Sequence, residues 1–245
     1  PCASEQSMKL MNLVRKISPT DATVLINGPT GSGKEVLSSL IHAFSNRKNN
    51  PFIALNCAAI PDQMLESILF GHEKGAFTGA HQANQGLVRA ADTGTILLDE
   101  ISEMPLNLQS KLLRVIQEKQ VLPIGASSEV EVDVRIIATT NRNMFDEVKS
   151  GNFREDLFYR LNVFPLNNLS LVERIDDLVP IVAHMLFKAY NETGQILSIS
   201  EDALLALQQH SWPGNVRELD NIVQRAKILS LGDKIILADL IFDNH

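Results

Sequence analysis

The chain is short of cysteine, of basic charge and of long apolar runs, and each shortage closes off a class of protein. Its two cysteines are Cys2, near the terminus, and Cys57, just past an expected strand, and they have no metal-ligand spacing. Both are expected to be reduced thiols in a cytoplasmic protein. Lys and Arg number 22 against 29 Asp and Glu, and the formal charge of −7 argues against broad, non-specific nucleic-acid binding by this segment. DNA contact is therefore expected only through a domain absent from this chain. No apolar run approaches a membrane span and no signal-peptide pattern opens the sequence, so no membrane partner is expected. The chain starts at Pro1 without an initiator Met and is read as an excised fragment.

What remains is ample for a core. The 245 residues are 44% hydrophobic with a mean hydropathy of +0.01, enough for one large or two smaller soluble domains. Residues 22–26, 52–56, 95–99, 132–138 and 162–166 read as buried strands, and helical stretches such as Leu106–Glu118 alternate with them. That alternation predicts an α/β fold, a five-stranded parallel sheet flanked by helices. Beyond Leu171 the strand signals stop, and residues 175–190, 201–210 and 215–230 read as helices of a small all-helical second domain. The polar stretch 167–170 marks the junction, so the expected domains are residues 1–168 and 169–245.

The chemistry starts at Gly28-Pro29-Thr30-Gly31-Ser32-Gly33-Lys34-Glu35, which fits the phosphate-binding pattern of two glycines with four residues between them, followed by Lys. An apolar, β-branched run precedes it, and Val36, Leu37, Leu40, Ile41 and Phe44 follow at helical spacing. Strand, glycine loop and helix thus come in the required order. Glycines let backbone N–H groups turn around phosphate oxygens, the helix start adds its positive dipole end, and Lys34 supplies a point charge for the β and γ phosphates. Most such loops carry Ser or Thr after the lysine to ligate Mg²⁺; here Glu35 stands there, and a carboxylate can hold the ion directly or through water.

A second element completes the first. Thr95–Asp99 with Glu100 is an apolar run ending in two acids, as expected of a buried strand whose tip presents carboxylates to the crevice where open α/β sheets bind ligands. Asp99 is then the Mg²⁺ ligand and Glu100 the group that polarises the attacking water. Two solvated acids at a strand end would be the alternative outside this company.

Two features point to contacts. Gly75-Ala76-Phe77-Thr78-Gly79-Ala80 places one large aromatic in a glycine-framed loop: either a displayed contact device or a turn whose Phe tucks back, and buried Phe is the commoner case. Residues 211–215 break the chain before the last helix and put Arg217 in its first turn. An arginine there opposes the helix dipole, so it is read either as a phosphate partner or as a solvated surface side chain. Ser200, followed by Glu201 and Asp202, is a hydroxyl cap with two acids at the start of the 201–210 helix.

Together these motifs resemble the central ATPase domain of the bacterial enhancer-binding proteins, the sigma-54-dependent transcription activators of the AAA+ class. The resemblance runs from about Met8 to about Leu240 and is most specific at residues 75–80, which match the family's signature loop without a substitution. It implies an AAA+ P-loop NTPase with a helical lid, binding ATP and Mg²⁺. Phe77 and Thr78 would be the sigma-54 contact tip of the loop Gly75 to Ala80, and residues 121–130 resemble the second inserted loop that moves beside it. Asn56 is similar to the residue that restrains the catalytic glutamate, which an amide bonded to Glu100 would do. Asn141, in Thr139-Thr140-Asn141, resembles the sensor of the γ-phosphate, and Arg217 the second sensor on the lid. Arg154 and Arg160 match the arginine-finger segment, whose planar guanidinium suits the charge on a transferring phosphoryl group. Pairing with nearby Glu155 and Asp156 is the alternative for both.

Pro29 departs from the family, which usually has an acid there; it removes one backbone donor, so altered affinity is expected rather than lost binding. The implied function is an ATP-hydrolysing ring subunit, a hexamer or heptamer by resemblance, that remodels sigma-54 RNA polymerase. A nucleotide-gated module with little hydrolysis and a DNA-translocating AAA+ motor are the alternatives.

Overall fold

The computed structural model describes residues 2–194, 196–230 and 232–242. Its strands, in chain order, are β1 (Val24–Asn27), β2 (Phe52–Asn56), β3 (Thr95–Asp99), β4 (Gln120–Val121), β5 (Val130–Glu131), β6 (Arg135–Thr140), β7 (Phe164–Asn167), β8 (Ser198–Ile199) and β9 (Lys234–Ile235). The chain divides into two compact units. The larger holds residues 13–28 and 34–167; the smaller holds residues 1–12, 29–33 and 168–245.

The larger unit is built on a five-stranded sheet of order β2-β3-β6-β1-β7, with every pairing parallel. All six residues of β6 and the first four of β3 are buried, as the central strands of a sheet covered on both faces should be. Pro165, which cannot donate to a ladder, sits on the edge strand β7 opposite Leu25. The core joins Leu25, Leu55, Leu98 and Ile136 from the strands to Leu65, Leu69, Leu108, Leu112 and Leu157 from the helices. The five strands predicted from sequence are the five of this sheet.

Their limits differ in instructive ways. The expected 132–138 strand is β6 shifted towards Thr140: Val132 and Val134 are buried and apolar, but they belong to the approach from the β4–β5 hairpin. Arg135 opens β6 almost wholly buried because its guanidinium donates to the carbonyls of Ser18 and Ile17, at 2.6 and 3.2 Å. In the Lys34–Ala43 helix the buried stripe is Leu37, Ser38, Ile41 and His42; Val36 is on the open side and Phe44 lies beyond the helix end, both exposed.

The register positions the chemistry. It aligns Asn56 of β2 with Asp99 of β3 and Asn27 of β1 with Thr140 of β6, so polar residues gather at the carboxyl ends of four neighbouring strands.

The smaller unit is helical. Leu178–Thr193, Glu201–Gln209 and Asn215–Leu229 pack around Leu178, Val182, Leu207, Trp212, Leu219, Ile222 and Val223. Trp212 is buried and satisfies its indole N–H on the Leu207 carbonyl at 2.9 Å. Ser200 caps the second helix, its hydroxyl accepting from the Ala203 N–H. The all-helical expectation needs one correction: β8 and β9 form a parallel pair of two residues each, too short to leave a period in the sequence.

Candidate functional site

In the larger unit, Lys34 opens its helix just beyond the end of β1 and is almost entirely buried. Its ammonium donates to the Gly28 carbonyl at 2.9 Å and stands 3.5 Å from Glu100 Oε1. Glu100 follows the end of β3 in a left-handed conformation, φ 52° and ψ 53°, which is uncommon for a residue with a β-carbon and costs on the order of 1–3 kcal/mol. That turn carries its carboxylate away from the strand line. Its second oxygen accepts the Asn141 N–H at 3.2 Å, and its own N–H donates to the Thr139 hydroxyl at 3.2 Å. The structure thus brings Lys34, Glu100 and Asn141 together at the ends of three strands.

Asp99 is held separately. Asn56 Nδ2 donates to its Oδ2 at 2.9 Å and the Thr139 hydroxyl donates to its Oδ1. This corrects the expected partner of Asn56: the amide binds Asp99, not Glu100. The register is the reason, because Asn56 and Asp99 are Cα partners while Glu100 has already turned aside. Thr139, which holds both acids, was read from sequence only as part of Thr139-Thr140-Asn141, with no role of its own toward Asp99 or Glu100. Beneath them, burial together with the charges of Asp99, Glu100 and Glu103 pushes the Cys57 thiol up to about 12.

The donor set suits a magnesium ion. Each Asp99 oxygen spends one lone pair on a protein donor and keeps another, and Mg²⁺ is ordinarily held by one or two carboxylates, waters and substrate phosphates rather than by a full protein cage. No group of three or more His, Cys, Asp or Glu among the described residues could form such a cage. Glu35 is exposed on the first turn of its helix, with no side-chain hydrogen bond or ion pair among the described residues.

In the smaller unit, residues 29–33 carry Gly31 at φ 75° and Gly33 at φ 96°. A β-carbon at Gly31 would stand 2.4 Å from the Gly214 carbonyl oxygen, so glycine is demanded there by space as well as by dihedral angle. The Arg217 N–H donates to the Gly31 carbonyl at 3.3 Å, and its guanidinium is exposed with no partner among the described residues. The first turn of the Asn215–Leu229 helix is therefore where the sequence placed Arg217.

The 75–80 loop, in the larger unit, is closed on itself. The Gly75 N–H donates to the Ala80 carbonyl at 2.9 Å and the Ala80 N–H to the Phe77 carbonyl at 3.0 Å. Gly75 and Gly79 have φ of 82° and 105° with nothing within 4 Å of a β-carbon, so each is needed for conformation alone. Phe77 is 46% exposed yet leans edge-on against His72, ring centroids 4.9 Å apart, which is part of both readings of the loop. Thr78 is exposed. The β4–β5 hairpin packs at its base: the Glu73 N–H donates to the Ile124 carbonyl at 2.9 Å, and a β-carbon on Gly125 would stand 2.8 Å from that of Ala76.

Arg154 pairs with Asp156 through two hydrogen bonds of 3.0 and 2.7 Å, which raise the guanidinium and lower the carboxyl from their ordinary values. Arg160 is exposed with no partner among the described residues. Neither arginine bonds Lys34, Asp99 or Glu100.

The Sigma-54 interaction domain family matches residues 2–167, and the AAA+ ATPase lid domain family matches residues 172–244. The chain belongs to the Sigma-54 interaction domain family. It is 53% identical over 235 residues to the response regulator protein FleR of Pseudomonas aeruginosa, an alignment covering 96% of this chain and 50% of FleR. The chain also superposes on NtrX of Brucella abortus in complex with ADP, with a TM-score of 0.91 and 36% identity over 98% of this chain and 54% of NtrX. The NtrX complex with ATP gives a TM-score of 0.90 and 36% identity, covering 98% and 53%. The chain spans about half the length of the curated relatives it matches. Its fold is that of an AAA+ P-loop NTPase with a helical lid, as the resemblance implied.

Proposed function

We propose that the chain is the ATP-hydrolysing part of a cytoplasmic transcription activator that contacts sigma-54 in RNA polymerase and remodels it. The observation that carries this reading is the meeting of Lys34, Glu100 and Asn141 beside Asp99, in a chain of the Sigma-54 interaction domain family. NtrX, a relative in fold, binds ATP and ADP.

Lys34 now spends its donors on Gly28 and Glu100. The β and γ phosphates of ATP are stronger anions, and they replace those partners at the ammonium. Glu100 is then free to orient a water for in-line attack, accepting its proton as the bond to the γ-phosphorus forms and ADP leaves with the bridging oxygen. A Mg²⁺ ion at Asp99, directly or through water, with Glu35 as a candidate second ligand, would neutralise charge on the phosphates. Asn56 holds Asp99 in place, and Asn141, bonded to Glu100 through its N–H, reports loss of the γ-phosphate to the strand end. Arg217, on the helix that abuts Gly31, reads the nucleotide from the lid.

Arg154 and Arg160 sit outside this cluster and serve a neighbouring subunit's nucleotide in a hexamer or heptamer. Phe77 and Thr78 deliver the resulting movement to sigma-54, and DNA is bound by a domain outside this chain. No helix among the described residues is long and apolar enough to cross a membrane. A nucleotide-gated module with slow turnover is the second reading, favoured by the Lys34 and Asn141 contacts that engage Glu100. ATP turnover measured over rising protein concentration, with and without sigma-54 and alongside sedimentation, separates the two. Specific activity that climbs as rings assemble supports hydrolysis; flat, negligible turnover at every concentration contradicts it.

A further inference from the structure

Three successive carbonyls of the 29–33 loop are held from outside by residues of the same unit. Asn215 Nδ2 donates to the Thr30 carbonyl at 3.1 Å, the Arg217 N–H to the Gly31 carbonyl at 3.3 Å, and Arg174 Nη2 to the Ser32 carbonyl. Asn168 Nδ2 adds a second bond to the Ser32 carbonyl at 3.0 Å and reaches the Ser32 hydroxyl at 3.1 Å. The peptide bonds are all trans, and in a planar trans peptide the C=O of one residue and the N–H of the next point in opposite directions. Pulling the Thr30 and Ser32 carbonyls outward therefore aims the Gly31 and Gly33 N–H groups inward. The Ser32 N–H closes a turn on the Pro29 carbonyl at 3.2 Å, whereas those of Gly31 and Gly33 have no protein acceptor among the described residues.

We propose that Asn215, Arg174 and Asn168 are positioning residues that aim the Gly31 and Gly33 amides at the phosphates of a bound nucleotide. The proposal rests on the nucleotide-binding reading given above and extends it to residues that touch no phosphate themselves. Asn215 is anchored at its far side, and Arg174 lies in the field of a fixed carboxylate. Asn215 sits at φ 54° with its Oδ1 accepting the Leu171 N–H at 2.8 Å. Arg174 lies at a backbone kink, φ −135° and ψ 44°, and burial depresses its guanidinium while the Asp177 charge opposes that shift. Asp177 in turn is fully buried and fixed by the N–H groups of Ala3 and Ser4 and the hydroxyls of Ser4 and Ser7. Of the three donors, Asn215 is thus itself held, and Arg174 faces a carboxylate that is.

The test is nucleotide affinity by titration calorimetry on the whole chain, comparing ADP with AMP, for wild type, Asn215→Asp, Arg174→Met and Arg174→Lys. Asn215→Asp keeps the acceptor for Leu171 but faces the Thr30 carbonyl with oxygen. ADP binding is expected to weaken about tenfold or more in Asn215→Asp and Arg174→Met, the worth of a charged or buried hydrogen bond. AMP, which lacks the β-phosphate, should lose much less, and Arg174→Lys should return ADP affinity towards wild type. Wild-type ADP affinity in both variants would overturn the positioning role alone, and so would equal losses for ADP and AMP, which mark general damage to the fold. A wild-type chain that binds no ADP would overturn the nucleotide reading and this inference with it.

Discussion

The two ends of the larger unit's machinery are built on opposite principles. At the strand tips, Lys34, Asp99, Glu100 and Asn56 are each held by named side-chain bonds, and Lys34 is all but buried. In the 75–80 loop the bonds are backbone to backbone, Phe77 has one aromatic neighbour, and two glycines at positive φ set the shape. Chemistry that must position a phosphoryl group needs a preorganised polar cluster. A surface that must move and bind needs few bonds to break, and conformations only glycine adopts easily.

The largest effect should come from breaking the rigid end. Lys34→Ala removes the buried charge proposed to meet the phosphates and should cut ATP turnover by about 10²-fold or more, in a steady-state phosphate-release assay. Breaking the loop end should separate the functions: Phe77→Ala, which loses an exposed side chain, should leave ATP turnover within about twofold while abolishing sigma-54-dependent open-complex formation.

How far the sequence reached follows the same divide. Strand, glycine loop and helix were legible because period and residue type mark them locally, and the strand order of α/β folds then brings Lys34 near the Asp99–Glu100 tip. The partner of Asn56 was not legible, because it depends on the β2–β3 register and on the left-handed turn at Glu100, neither of which leaves a local pattern. The buried Arg135 reads as a polar interruption until its carbonyl partners at Ile17 and Ser18 are seen. Asn168 and Arg174 escaped for the same reason: their partner, Ser32, is more than a hundred residues away in the chain.

Asn56→Ala sharpens the comparison at smaller amplitude. It frees one Asp99 oxygen without touching Glu100, so the Mg²⁺ concentration needed for half-maximal turnover should shift several-fold, up to about tenfold, while Lys34-dependent binding of ADP without metal stays unchanged. The smallest effect concerns Cys57. A thiol shifted from 9.0 up to about 12 stays neutral in the folded chain while the unfolded chain ionises, so its contribution to stability is intact below pH 9 and is lost as pH rises from there towards 12. Thiol-reagent kinetics at pH 8 should accordingly show Cys2, which is exposed, reacting in the native chain, and Cys57, which is buried, only on unfolding.

The coupling of the two ends is tested most directly by sigma-54 binding in defined nucleotide states. The chain should retain sigma-54 in the presence of a γ-phosphoryl transition-state analogue and release it with ADP, and Phe77→Ala should retain it in neither state. Equal binding of sigma-54 by the wild-type chain in both states would contradict the claim that the Lys34–Glu100 site drives the Phe77 loop.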